Sequence, residues 1–160
     1  MKKGLCLVMA LMLAVLFGVS AMAERDVDLP QSGYKVTVPD ELEYSGKGKS
    51  PDTADFAWVS EKLGLDVEFF HAANEYGATL EAMATVLRDE GYDAEIRNVS
   101  GIPMIVYEGT DPGDDPAAAM KFITYVFLEG NMAQQICFWY ANQEAADLTV
   151  QIIESITNKD

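Results

Sequence analysis

Four groups of residues in this chain have types that chemistry uses: Gly46-Lys47-Gly48-Lys49-Ser50, the trio Asp111, Asp114 and Asp115, the histidine His71, and the thiol Cys137. The first resembles the end of a nucleotide-binding phosphate loop. Such a loop needs G-x-x-x-x-G-K-[ST] between a strand and a helix, so that backbone N–H groups and the helix N-terminus cradle the phosphates. Gly48-Lys49-Ser50 fits the end of the motif. Glu43 stands where its first glycine belongs, and Pro51 and Asp52 follow. The segment from Gly46 to Lys49 is therefore expected to be a locally positive, glycine-flanked loop, suited to an acidic partner and not to a nucleotide.

Clustered carboxylates in Asp111-Pro112-Gly113-Asp114-Asp115-Pro116 suit a hard cation such as Ca²⁺, which takes six to eight oxygens. The spacing departs from the D-x-[DN]-x-[DN]-G-x₅-E loop, and Asp beside Pro and Gly is also ordinary turn chemistry. The turn is the preferred reading, with Asp111, Asp114 and Asp115 kept as the candidate metal ligands. His71 has no G-x-S-x-G partner motif, and Ser60, Ser100 and Ser155 stand in plain contexts, so a hydrolytic triad has no sequence support. Cys137 is flanked by apolar and aromatic residues and is expected to be an inert core thiol. Asn98-Val99-Ser100 matches a glycosylation sequon of the kind that arises by chance.

The N-terminus bears on location. Met1-Lys2-Lys3 is a short positive region, Leu5 to Phe17 is an uncharged apolar run, and Ala21-Met22-Ala23 precedes the charged Glu24-Arg25-Asp26. That is the three-part layout of a secretory signal peptide, and the apolar run falls short of the about 20 residues a bilayer crossing needs. Residues 1–23 are expected to be a signal peptide cleaved after Ala23, leaving one domain from Glu24 to Asp160 in a secreted, periplasmic or extracellular setting. No cysteine stands directly after the cleavage site for lipid attachment; Cys6 lies within the apolar run.

The chain carries 11 Lys and Arg against 26 Asp and Glu, a net charge of −15. Loss of Lys2 and Lys3 makes the balance more negative still. A charge of that sign repels nucleic acid and anionic lipid, so neither is expected as a partner. With Cys137 as the sole thiol after cleavage, no intramolecular disulfide can form, and a domain of this length must be held by its core.

Several elements can be read from pattern. Tyr34 to Val38 alternates apolar and polar and stops at Pro39, and Leu42 to Tyr44 extends it beyond a kink. Phe56 to Ser60 and Leu65 to Ala72 form a hairpin around Glu61-Lys62-Leu63-Gly64; Asp66 and Glu68 are expected to face water. Leu80, Met83, Ala84 and Leu87 share one helical face, with Thr79 as N-cap and Gly91 just beyond the C-cap. Ala94 to Val99 and Ile102 to Glu108 are strands about the Asn98 to Gly101 turn, with Pro103 suggesting a sheet edge or bulge. Lys121 to Glu129 and Met132 to Tyr140 form a hairpin at Gly130-Asn131. Asn142 caps a last helix with Ala145, Leu148, Thr149, Ile152 and Ile156 on one face. Glu24 to Ser32 is expected to be a loose lead-in.

Phe122 to Leu128 and Ile136 to Tyr140 are apolar on both alternating faces, so the sheet must be covered on both sides. The expected fold is α+β: an antiparallel sheet of about six strands sandwiched between helices, α/β/α. Dimerisation over one sheet face is an alternative cover, so monomer and dimer both stay open. Trp58, Phe69, Phe70, Trp139 and Tyr140 either fill this sandwich or line a groove for a ligand.

The order of a Pro-terminated strand (YKVTVPDELEY), a hairpin, a helix, a four-strand meander and a closing helix resembles the Mog1/PsbP-like fold, found in small exported bacterial proteins and lipoproteins. The resemblance spans nearly the whole chain after Ala23 and rests on element order. It implies an α/β/α sandwich and a non-enzymatic accessory or binding role, and brings no catalytic residues with it. The function expected is a non-catalytic binding or accessory module for an envelope or extracellular protein or a small ligand. A secreted hydrolase or metal-dependent enzyme without a recognisable motif is the alternative.

Overall fold

Side chains along a strand alternate between its two faces, and the longest strands, apolar on both faces in Met120–Glu129 and Met132–Tyr140, lie at the centre of the larger sheet. The computed structural model describes residues 23–46, 56–111 and 119–159. The strands are β1 (Glu24–Asp28), β2 (Tyr34–Pro39), β3 (Glu43–Tyr44), β4 (Phe56–Ser60), β5 (Leu65–Ala73), β6 (Glu95–Val99), β7 (Ile102–Asp111), β8 (Met120–Glu129), β9 (Met132–Tyr140) and β10 (Thr157–Asn158); the helices are α1 (Leu80–Asp89) and α2 (Gln143–Glu154). Seven strands form an antiparallel sheet in the order β3-β4-β5-β9-β8-β7-β6, and a second sheet has the order β1-β2-β10. The chain is therefore α+β, as the sequence predicts.

Pairing of β8 with β9 turns at Gly130, whose φ is +60°, and their register runs without a break from Glu129 opposite Met132 to Lys121 opposite Tyr140. Because β5 also pairs with β9 over its whole length, the pleat divides every side chain of these strands between two faces. Val67, Phe69, Phe127, Ile136 and Phe138 point to one face, where α2 covers them with Leu148, Ile152 and Ile153. Phe70, Phe122, Cys137 and Trp139 point to the other. There α1 packs Ala84 against Ile105 and Ala94, with Leu80, Met83 and Leu87 beside them.

The layering departs from expectation in one respect. Tyr34–Pro39 does not join the main sheet but pairs with β1 and β10 in the small one. Its residues are apolar on one face only. Val36 and Val38 are fully buried against the main core, while Lys35 pairs with Asp26 at 2.9 Å and Thr37 donates to the same carboxylate at 3.0 Å. A strand with one apolar face is suited to a covering layer. The segment from Glu24, expected to be loose, is the ordered strand β1, with only Val27 turned inward to the core. Leu42 to Tyr44 does not continue β2; Glu43–Tyr44 is the outermost strand of the main sheet.

Arg25 fastens the two sheets. Its guanidinium lies 4.5 Å from the Trp58 ring centroid, Nη1 donates to the Asp40 carbonyl at 3.2 Å, and Nη2 donates to the Leu42 carbonyl. At the opposite end Glu129 accepts from Ser32 Oγ at 2.6 Å and from the Gly33 N–H at 2.7 Å. Pro103 lies in β7 opposite Asn98 of the edge strand β6, ahead of the point where β7 begins to pair with β8 at Ile105. Its missing N–H therefore falls outside the β7–β8 ladder.

Candidate functional site

A single register line crosses four neighbouring strands on the α1 face of the main sheet. Glu68 of β5 lies opposite Cys137 of β9, Cys137 opposite Thr124 of β8, and Thr124 opposite Tyr107 of β7. Two residues further along, Trp139 lies opposite Phe122, and Phe122 opposite Gly109. Two residues the other way, Phe70 faces Gln135. These side chains, with Tyr92 and the rim residues Thr110 and Asp111, line an open cleft of about 350 Å³. Among the described residues, helix α1 covers only the β6–β7 end of this face, and the cleft lies over β5, β9 and β8.

Local sequence places each wall. At the end of α1 the Gly91 N–H bonds the Arg88 carbonyl and the Tyr92 N–H bonds the Leu87 carbonyl, each at 3.0 Å, with Gly91 at φ +97°. This double closure, which glycine permits without a Cβ clash, turns the chain back towards the sheet. Tyr92 thereby reaches Tyr107 at 5.1 Å between ring centroids and Phe122 at 6.3 Å. Phe122 continues to Trp139 at 5.1 Å. Gly109 makes the Phe122 position possible, since a Cβ there would lie 2.5 Å from Phe122 Cζ.

The floor is polar and ordered. Trp139 Nε1 donates to Glu68 Oε2 at 3.1 Å, and Thr124 Oγ1 donates to Cys137 Sγ at 3.3 Å. Glu68 is fully buried and Thr124 nearly so. Burial pushes the Cys137 thiol up to about 12, Thr124's hydrogen bond works against that rise, and the Glu68 carboxylate adds to it. Tyr107 is likewise pushed up, mainly by burial. Both groups are neutral at physiological pH, so the floor offers a carboxylate and hydrogen-bonding atoms but no thiolate nucleophile.

The residues singled out from sequence scatter across the fold. His71 lies opposite Gln134 on β5, one residue out of phase with Glu68 and so on the other face from Cys137. Ser60 accepts from the Leu63 N–H at 3.2 Å to close the β4–β5 turn, Ser100 donates to the Glu154 carbonyl at 2.6 Å, and Ser155 accepts from the Thr37 N–H at 2.7 Å. Each serine holds a turn or a contact between layers. Asp111 ends β7 at the cleft rim, while Asp114 and Asp115 lie outside the described residues, as do residues 1–22 and Lys47 to Pro51 of the glycine-flanked loop. Gly46 is described, with φ +67°. Among the described residues no group of three or more His, Cys, Asp or Glu is arranged to hold a metal. Among them, too, no helix is long and apolar enough to cross a membrane.

Pattern reading missed the cleft for two reasons. Glu68 alternates with core residues and was expected to face water; instead it is buried, because β9 brings Cys137 and Trp139 alongside it. The five aromatics read as one group are split by the pleat: Trp58, Phe69 and Tyr140 pack with the α2-side core, whereas Phe70 and Trp139 line the cleft. Tyr92 and Tyr107 carried a signal in Gly91 and in the aromatic-rich β7–β8 pairing.

No protein-family model and no curated protein matches the sequence. The fold is similar to solved structures. A crystal structure of a Bacteroides thetaiotaomicron VPI-5482 protein aligns with TM-score 0.65 at 10% identity over 87% of this chain and 50% of the other, so this chain spans half the length of that protein. The solution structure of cyanobacterial PsbP (CyanoP) from Synechocystis sp. PCC 6803 aligns with TM-score 0.64 at 13% identity, over 89% of this chain and 96% of the other. The chain thus has the Mog1/PsbP-like fold, as its element order predicts.

Proposed function

We propose that the protein is an exported, non-catalytic binding module that holds a small ligand in the cleft on the α1 face of its sheet. The observation that carries this reading is the juxtaposition of Glu68, Thr124 and Tyr107, polar groups on buried or half-buried residues, with the rings of Tyr92, Phe122 and Trp139 around one concave space. A few fixed polar groups within aromatic walls are the usual composition of a ligand site. The Cys137 thiol is protonated and already accepts a hydrogen bond, which favours binding over nucleophilic chemistry. Export follows from the N-terminal segment, and a mature chain starting at Glu24 is the expected product.

Tryptophan emission tests the reading, because the two tryptophans lie on opposite faces of the sheet. A panel of small polar and aromatic compounds is titrated against the wild type, Trp58→Phe and Trp139→Phe. A saturable change retained in Trp58→Phe and lost in Trp139→Phe supports binding in the cleft. No saturable change across the panel, or one that follows Trp58 alone, overturns it. Mass spectrometry of the exported chain reports whether it begins at Glu24.

A further inference from the structure

We propose that two copies of this chain pair through β6, antiparallel and edge to edge about a two-fold axis at Ile96, so that their main sheets join into one. This edge is separate from the cleft. Among the described strands β6 ends the seven-stranded order and pairs with β7 alone. The opposite edge is limited by its length, since β3 has two residues. β6 has five, and Glu95 to Asn98 are all exposed. Its register with β7 is unbroken, and it carries no bulge, proline or lysine of the kind that blunts an edge strand.

The turn decides which backbone groups face outward. Ser100 and Gly101, at φ +51° and +87°, connect the hairpin, with Val99 opposite Ile102. A two-residue turn of this kind is closed by a hydrogen-bonded pair, and alternation along the ladder then directs the N–H and C=O of Ile96 and Asn98 away from β7. The Ala94 carbonyl obeys the same alternation. Arg88 Nε donates to it from outside at 2.8 Å, and its second lone pair suits the N–H of the partner's Asn98.

Outward residues must meet outward residues, so few registers exist. With Ile96 on the axis, Glu95 lies opposite the partner's Arg97, and Arg97 opposite the partner's Glu95. These are the close positions of an antiparallel pair, about 4.5 Å between Cα atoms. Within each chain Arg97 already pairs with Glu95 at 2.9 Å, so the four charges form a closed ring of alternating sign. An axis at Arg97 would set two arginines face to face. Ile96 lies opposite Ile105, on the α1 face, where it is an exposed large apolar residue; the two copies of it cover each other across the axis. The net charge of −15 on each chain opposes approach, but at about 0.15 M salt it is screened beyond about 8 Å, whereas the ring is in contact. One edge strand is a small interface, so the dimer is a reversible one, with a Kd of about 1–100 μM.

Sedimentation equilibrium at about 0.15 M salt is expected to show the wild type as monomer and dimer in exchange. Glu95→Arg places cations at both charged positions and Arg97→Glu places carboxylates at both; each is expected to weaken self-association at least about tenfold. Mixed in equal amounts, the two variants are expected to associate with each other about as tightly as the wild type does with itself, because every cross-strand pair is again unlike. Ile96→Pro deletes an outward N–H and spares the β6–β7 ladder, so it is expected to abolish the dimer with the far-ultraviolet circular dichroism unchanged. A wild type that stays monomeric at the top of that concentration range overturns the proposal. So does a dimer that Ile96→Pro or both charge variants retain, or a mixture that associates no better than its components alone.

Discussion

Substituting Gly109 with alanine isolates the packing that forms one wall of the cleft. Gly109 has no left-handed φ, so alanine is compatible with its backbone and the effect is one of space. The new Cβ would stand 2.5 Å from Phe122 Cζ and 2.8 Å from Cε1, too close for carbon atoms. The ring cannot swing aside freely, because Trp139 lies 5.1 Å and Tyr92 6.3 Å from it between centroids. Forcing an extra methyl against packed groups costs about 1–3 kcal/mol. Against this, alanine in a strand interior is favoured over glycine by about 0.5–1 kcal/mol. The net expectation is a loss of roughly 1–2 kcal/mol, seen as a lower urea midpoint at unchanged slope. In a Phe122→Leu background the clashing Cζ and Cε atoms are gone, and the same Gly109→Ala change is expected to stabilise by about 0.5–1 kcal/mol. The sign should therefore reverse between backgrounds, with a coupling of about 2–3 kcal/mol in the double-mutant cycle. Gly109→Ala that is neutral or stabilising in the wild type, or equally harmful in both backgrounds, would refute the reasoning.

Two further outcomes follow from buried groups. The folded state holds the Cys137 thiol at about 12 against an ordinary 9.0, so its contribution is fully present below pH 9 and is lost as the pH rises towards 12, reaching about 3 kcal/mol by about pH 11. Burial also pushes up Tyr107, Tyr125 and Tyr140, which act in the same direction, so urea midpoints of the wild type and Cys137→Ala at about pH 8 and pH 11 separate the thiol's share. Cys137→Ala should lose less stability over that range. Glu129→Ala removes the acceptor for Ser32 Oγ and the Gly33 N–H and is expected to cost about 1–3 kcal/mol; hydrogen exchange should show the Ser32–Tyr34 turn loosened while β8 remains protected.

The elements that pattern reading recovers are those whose signal is local. The Gly130-Asn131 turn, the Thr79 cap and the Leu80, Met83, Ala84, Leu87 face each depend on a few adjacent residues. Two-sided apolar character in β8 and β9 correctly demands cover on both faces. It does not say that one cover, α1, packs on the β6–β7 end of its face, with the cleft beside it among the described residues. β1 is hard to read because only Val27 turns inward to the core while Arg25, Asp26 and Asp28 look like solvent-facing loop. Glu68 is harder still. Its own strand alternates as a half-solvated strand would, and its surroundings are set by Cys137 and Trp139, a pairing that alternation within one strand cannot specify.

The small sheet sets an order in time. β2 is flanked by β1 on one side and by β10 on the other, and Lys159 extends that tie through its N–H to the Gly33 carbonyl at 2.7 Å and its Nζ to the Leu29 carbonyl at 3.2 Å. A chain made from its N-terminus must reach residue 158 before β2 has both neighbours, and must already have made α2 before Val36 and Val38 have their full cover. A β1–β2 pair without β10 and α2 would leave the inward side chains of Val27, Val36 and Val38 without their full cover. Contacts this distant in sequence slow folding, and the third strand of the small sheet comes from the far end of the chain.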